Sequence, residues 1–147
     1  TEIYTLSLHD ALPIYDAMAK VGHVLGSGAI LVMNESVGVN DFLHSCLRFF
    51  RHESCGNCNP CRNGLQALFD IAGRLKAGQG YPGDVNLMEE LVMALKTMAY
   101  CPLGQSPAGP VMSALRYFRP EVEAGIDPSR QRPEPGHTQI DLVELTI

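Results

Sequence analysis

The stretch ESCGNCNPCRNG, residues 53–64, places three cysteines at intervals of three, at Cys55, Cys58 and Cys61. A fourth cysteine, Cys101, stands well downstream and directly before a proline. Structural zinc sites usually take two separated Cys-x2-Cys turns. A three-plus-one pattern with a Cys-Pro step is more typical of a [4Fe-4S] cluster. The spacing therefore favours such a cluster, and a zinc ion held by the same four thiolates stays open as the alternative.

Composition limits the remaining possibilities. The chain has 147 residues, 46% of them hydrophobic, which is enough for one core of ordinary domain size. Its net charge is -5 and its basic residues form no run, so nucleic acid is not expected as a partner. No apolar stretch approaches the roughly 20 residues of a membrane span, and no signal peptide is recognisable. We therefore predict no direct membrane insertion and a cytoplasmic location.

Cysteine usage supports a metal site. The chain contains 5 cysteines, an odd number, and without an export signal they are better interpreted as metal ligands or inert thiols than as disulfides. Cys46 lies within the apolar face of a predicted helix, and we interpret it as a small buried hydrophobic residue. His52 is not expected to be a ligand, because four cysteines already complete the set.

Apolar residues at helical spacing predict four amphipathic helices, and hence a mainly α fold built as a small four-helix bundle. The first helix is predicted to be capped by Asn40 and to run to about His52. The second is predicted to begin with Asn59 as its cap and Pro60 in its first turn, and to end at Gly78.

The other two helices follow the same logic. Asp84 is predicted to cap the third helix, which should stop near Cys101 because the residue before a proline avoids helical geometry. The fourth is predicted to start at Pro107 or Pro110 and to be ended by Pro120.

The residues around the cysteines suit a negatively charged cluster. Cys61 is predicted in the first turn of the second helix, where free N-H groups and the positive dipole end lie close to its sulfur. Gly56 allows a close approach of the loop backbone. Arg51, His52 and Arg62 flank the site, where they either raise its reduction potential or remain solvated surface charges.

The two ends of the chain differ from its centre. Residues 1–14, TEIYTLSLHDALPI, resemble translated sequencing adapter, so we expect a non-native leader; an ordinary strand and turn is the alternative. Residues 15–25 suggest a short helix, and residues 29–33 a buried strand after a Gly-Ser-Gly turn. Residues 125–138 have linker composition and lead to IDLVELTI, which indicates the start of a truncated domain and a fragment of a longer protein.

ESCGNCNPCRNG, followed by YCPLGQSPAGPVMSALRYFRPE, is similar to the cluster-binding domain of the flavoprotein NADH-dehydrogenase subunits. These are the 51 kDa subunit of respiratory complex I and its relatives in soluble NAD(P)-linked hydrogenases and formate dehydrogenases. YDAMAKVGHVLGSGAILVMNES resembles the segment that ends the β-grasp (SLBB-like) domain of the family. The resemblance implies a β-grasp remnant over residues 15–38, a helical [4Fe-4S] domain over residues 39–124, and a linker with the next domain over residues 125–147.

The resemblance also implies a function and a ligand set. The four cluster ligands of the family fall on Cys55, Cys58, Cys61 and Cys101. FMN and NAD(P) are expected on an N-terminal domain that should lie upstream, so this chain alone should not oxidise NADH. It should pass single electrons from flavin to iron-sulfur centres in other subunits of an NADH dehydrogenase, hydrogenase or formate dehydrogenase complex, which can be membrane-associated. The alternative is a structural four-cysteine zinc or cluster-stabilised domain that docks onto a partner subunit.

Overall fold

The computed structural model describes residues 36–133, together with Asp16, Lys20 and residues 32–34. Six helices follow one another in this part of the chain: α1 (Val39–Glu53), α2 (Asn59–Lys76), α3 (Asp84–Met98), α4 (Pro102–Gln105), α5 (Ala108–Tyr117) and α6 (Arg119–Glu123). No strand is found among the described residues; one parallel bridge joins Gly80 to Ile126. The prediction of a mainly α fold is confirmed.

The core lies between the four longer helices. α1 packs against α2, α2 against α3, α3 against α5, and α5 against α1. Each helix buries the residues that recur at helical spacing, because removing those side chains from water is what stabilises the helix in its place. Side chains that are at most 1% exposed include Leu43, Leu47, Leu65, Leu68, Leu75, Met88, Val92, Leu95, Val111 and Val122.

The predicted N-caps are wrong. Asn59 accepts a hydrogen bond from Asn63 within its own helix, and the other two predicted caps bind partners from other segments. The observed N-caps are Gly38, Cys58 and Gly83, and none makes a side-chain capping bond. The Asn40 amide instead donates to the backbone oxygens of residues 121 and 122. The Asp84 carboxylate accepts hydrogen bonds from two arginines. Local spacing cannot reveal such distant partners.

The predicted C-terminal ends of the helices agree more closely with the structure than the predicted N-caps do. α2 ends at Lys76 with its C-cap at Ala77, and Gly78 follows with a positive φ of 67°. α3 ends at Met98, shortly before the Cys101-Pro102 step. Pro120 does not end the fourth predicted helix but lies in the first turn of α6, a position that suits its fixed φ. The short α4 was not predicted.

The segment after α6 lies against the helical domain as far as Arg132. Gly80 donates a backbone hydrogen bond to Gly125, and Asp127 donates one to Gly80, both at 2.9 Å. Arg132 reaches the carboxylate of Asp84. The first part of the stretch with linker composition, residues 125–132, therefore contacts the loop between α2 and α3 and the first residue of α3.

Several predicted features lie outside the described residues. These are the leader over residues 1–14, most of the β-grasp segment over residues 15–38, and the strand IDLVELTI. Asp16 and Lys20 of the predicted short helix are helical, whereas Val32 and Met33 of the predicted strand are not assigned to one.

Candidate metal centre

The cysteine loop connects α1 to α2. Ser54 ends α1 in an extended conformation, Cys55 is exposed in the loop, and Cys58 is the N-cap of α2. Gly56 has a φ of +71°, a conformation that other residues rarely adopt, so the tight loop requires glycine here. Cys61 is the third residue of α2 and only 4% exposed. The sequence correctly placed it in the first helical turn.

Cys101 comes from a different part of the fold. It is half-buried at the N-cap of α4, just after α3, and Pro102 is the first helical residue. After burial, which is the larger cause, interactions with Cys58 and Cys101 also raise the pKa of the Cys61 thiol. The structure thus brings Cys58, Cys61 and Cys101 near one another. Cys55 lies in the same loop with its side chain toward solvent.

The thiols have different electrostatic surroundings. Backbone N-H groups of Tyr100 and Cys61 donate to the sulfur of Cys58 and hold the pKa of that thiol below its usual value. Burial raises the pKa of Cys61, and the Ser54 hydroxyl acts in the opposite direction. Several thiolates placed together need positive charge, since like charges in a partly buried site are costly without it. This donor set therefore fits a bound metal centre.

The site also fits a negatively charged cluster at the start of α2. The first N-H groups of this 18-residue helix and its positive dipole end lie beside Cys58 and Cys61. No three His, Cys, Asp or Glu side chains in the described part of the chain converge closely enough to hold one metal ion. A [4Fe-4S] cluster makes a different demand, because its four cysteine thiolates need not meet at a single ion.

The flanking cations are largely engaged elsewhere. The Arg51 guanidinium lies 4.1 Å from the centre of the Phe69 ring and donates to Gln66. His52 is exposed and pairs with Glu53 at 3.0 Å. Arg62 is exposed on α2. The structure gives none of these three side chains a hydrogen bond to a cysteine, so direct donors to the thiols come from the backbone and from Ser54.

Cys46 is separate from this group. It is half-buried on α1, and burial raises the pKa of its thiol. Burial acts in the same direction on Cys61, so Cys46 is set apart by its position on α1, outside the cysteine loop, and not by its pKa. The interpretation of Cys46 as a small buried hydrophobic residue stays a prediction, since the side chain is half-buried.

Sequence reasoning missed Gly104, which lies on α4 and packs on the buried cysteine. A Cβ atom at this position would lie 2.8 Å from the Ala99 Cβ and 3.3 Å from the Cys61 sulfur. Both neighbours are short side chains with no flexible end that could move away. Only a glycine lets α4 approach Cys61 at this distance, and a Leu-Gly-Gln sequence carries no local sign of that contact.

Replacing Gly104 by alanine is expected to lower the free energy of unfolding by about 1–3 kcal/mol, the usual cost of overpacking. Gly109→Ala is the matched control, since nothing lies within 4 Å of a Cβ built there. Both variants are compared with the wild type by anaerobic urea unfolding. Equal stability of the two variants would show that α4 is free to move away from Cys61.

The region of the chain that carries these cysteines matches a known protein family. The family model of the NADH-ubiquinone oxidoreductase-F iron-sulfur binding region matches residues 41–125. The mitochondrial NADH dehydrogenase (ubiquinone) flavoprotein 1 of Dictyostelium discoideum is 38% identical over 112 residues, which are 76% of this chain and 23% of the relative. The NADP-reducing hydrogenase subunit HndC of Solidesulfovibrio fructosivorans is 32% identical over 133 residues, or 90% of this chain and 26% of the relative.

A solved structure is also similar. The NAD+-reducing [NiFe]-hydrogenase in its H2-reduced state matches with a TM-score of 0.62 and 31% identity, over 66% of this chain and 17% of the other. The chain spans about a quarter of the length of these curated relatives. No helix in the described ranges has the length and apolar character needed to cross a membrane. The match over residues 41–125 shows that the chain belongs to the family of NADH-ubiquinone oxidoreductase-F iron-sulfur binding regions.

Proposed function

We propose that this chain is an electron-transfer module that holds one [4Fe-4S] cluster through Cys55, Cys58, Cys61 and Cys101. The proposal rests mainly on one observation: Cys58 and Cys61 lie at the start of α2, and the short helix α4 that follows Cys101 packs on the Cys61 sulfur, within an iron-sulfur binding family. Helices α1, α2, α3 and α5, which pack in a closed ring, would form the small four-helix bundle that supports the site. A β-grasp remnant over residues 15–38 would precede it.

The proposed role is a relay between a flavin and further iron-sulfur centres. The cluster would supply one-electron chemistry in a rigid cage, so that little rearrangement accompanies a change of charge. The protein's part is to hold the sulfurs in place. The buried Cys61 is anchored by α2, the packing of Gly104 restricts it on the other side, and the backbone amide of Tyr100 fixes Cys58.

The names of the relatives suggest the surroundings of such a relay. NADH dehydrogenase and hydrogenase subunits are among them, so we propose that FMN and NAD(P) bind a domain outside this chain. Its partners would be other iron-sulfur subunits of a multi-subunit oxidoreductase. The assembly would be cytoplasmic or attached to a membrane through other subunits.

The test uses the whole chain, reconstituted anaerobically with iron and sulfide. We expect about four iron atoms per chain and a brown protein that bleaches when a reduced flavoprotein is added, because a [4Fe-4S] cluster absorbs visible light and accepts single electrons. With NADH, FMN and a dye acceptor, we expect no turnover by the chain alone.

Two outcomes would contradict the proposal. A colourless protein that retains one zinc ion and excludes iron would favour the structural zinc domain, since zinc is spectroscopically silent. Turnover of NADH by the isolated chain with added FMN would show a nucleotide and flavin site within these residues.

A further inference from the structure

We infer that Ser54 is a positioning residue that raises the reduction potential of the cluster through a hydrogen bond to Cys61. This inference rests on the proposed function, since it takes Cys61 as a cluster ligand. The side chain of Ser54 lies at the junction between α1 and the cysteine loop, where it is half-buried. It is not itself one of the four proposed ligands.

The geometry comprises two consecutive hydrogen bonds. The Ser54 Oγ atom lies 3.2 Å from the Cys61 Sγ atom. The backbone N-H of Gly56 donates to the same Ser54 oxygen, also at 3.2 Å. The bond joins residues two apart in the chain and so forms a local turn at the start of the cysteine loop. The hydroxyl is therefore held in place by the cysteine loop itself.

The direction of the bond to sulfur follows from proton counting. In the free thiol, either atom could donate. A metal-bound Cys61 carries no proton, so only the Ser54 hydroxyl can then donate. Its oxygen already accepts from Gly56, which leaves its proton available for the sulfur. The loop thus presents a directed donor to the ligand that is buried most deeply.

A donor at this sulfur favours the reduced cluster. An added electron increases the negative charge on the cluster and its thiolates, and a hydrogen bond to a more negative acceptor is stronger. Because Cys61 is 4% exposed, water screens this interaction weakly. Hydrogen bonds to cluster sulfurs are one of the means by which proteins set reduction potentials. Loss of the Ser54 hydroxyl should make reduction harder.

Ser54 differs from the other donors at the site because a substitution can remove it. Cys58 receives its hydrogen bonds from backbone N-H groups, which persist in any side-chain variant. Ser54→Ala removes the hydroxyl alone, and Ser54→Thr retains it. Ser45→Ala, at an exposed position on α1, is the matched control for a serine outside the cysteine loop.

The experiment compares the four reconstituted proteins by iron content and by redox titration monitored by EPR. We expect equal iron in all four, a midpoint potential in Ser54→Ala that shifts to a more negative value, and unshifted midpoints in Ser54→Thr and Ser45→Ala. A purely structural role for Ser54 would change the iron content rather than the midpoint.

Other results would overturn the inference in distinguishable ways. An unchanged midpoint in an iron-loaded Ser54→Ala protein, or equal shifts in the alanine and threonine variants, would exclude a role for the hydroxyl. Loss of iron in Ser54→Ala alone would show that Ser54 is needed for cluster binding and does not act by setting the reduction potential of the cluster. Absence of iron from the wild type would overturn the proposed function and this inference with it.

Discussion

Replacing Asp84 by alanine is expected to lower the free energy of unfolding by about 2–3 kcal/mol. Breaking a fully buried ion pair typically costs roughly 3–5 kcal/mol. Here Asp84 is fully buried, but its partners Arg74 and Arg132 remain 29% and 40% exposed. Water can solvate the two arginines once the carboxylate is gone, so the expected loss lies below that range.

Asp84 matters because three segments meet at its carboxylate. Arg74 at the end of α2 donates two hydrogen bonds, at 3.1 and 3.2 Å. Arg132 donates from the segment after α6, and the backbone N-H of Tyr81 donates at 3.0 Å. Alanine would leave all of these donors without their acceptor. The lost hydrogen bonds lie at the C-terminal end of α2, whereas Cys61 lies at its N-terminal end.

The pH dependence has a definite sign. Burial alone would raise the pKa of Asp84, but the hydrogen bonds from Arg74, the Tyr81 backbone and Arg132 outweigh it and hold this pKa below its usual value. A depressed folded-state pKa stabilises the fold fully above the unfolded-state value of about 3.9, and the contribution is lost as the pH falls through the folded-state pKa. The stability difference between wild type and Asp84→Asn should therefore stay constant between about pH 5 and 8.

The matched control is Asp41→Asn, which removes an exposed carboxylate paired with Lys76. Surface pairs of this kind contribute up to about 1 kcal/mol. Anaerobic urea unfolding, followed by far-ultraviolet circular dichroism, gives both values on the reconstituted chain. An Asp84→Ala protein as stable as Asp41→Asn would mean that the hydrogen bonds at Asp84 add no more to stability than an exposed ion pair.

The sequence predicted the helices better than their ends. Leu65, Leu68 and Leu75 recur at helical spacing and are buried as expected, because one apolar stripe is a local property of the helix. Phe49 lies in the run of apolar residues of α1 but is 54% exposed, since the face in contact with the core is narrower than that run. The cap at Asp84 failed because its partner Arg132 is 48 residues away.

At the site, too, the local features were predictable from the sequence, whereas the contacts between distant segments were not. The spacing of Cys55, Cys58 and Cys61 is local, and it correctly indicated a loop that enters a helix. The approach of Gly104 to Cys61 joins two elements far apart in sequence and gave no signal. Ser54 stood beside the first cysteine, but only the fold shows that its hydroxyl reaches the third.

Cys101→Ser is expected to abolish most of the cluster, whereas Cys46→Ser should retain about four iron atoms per chain. Cys101 is the one proposed ligand outside the cysteine loop, so no neighbouring thiol in that loop can replace it. Cys46 lies on α1, outside the cysteine loop, and burial raises the pKa of its thiol. Because a cluster that binds only the folded chain stabilises it, Cys101→Ser should also melt at a lower temperature.

Iron and sulfide analysis, EPR of the reduced proteins and anaerobic thermal melts provide the measurements. The two substitutions are chemically identical, so each serves as the control for the other. Cys61→Ser extends the series, and we expect it to lose iron as completely as Cys101→Ser, since both sulfurs belong to the same group. Loss of the cluster in Cys46→Ser with retention in Cys101→Ser would reverse the ligand assignment, because the fourth thiolate would then come from α1 and not from the start of α4.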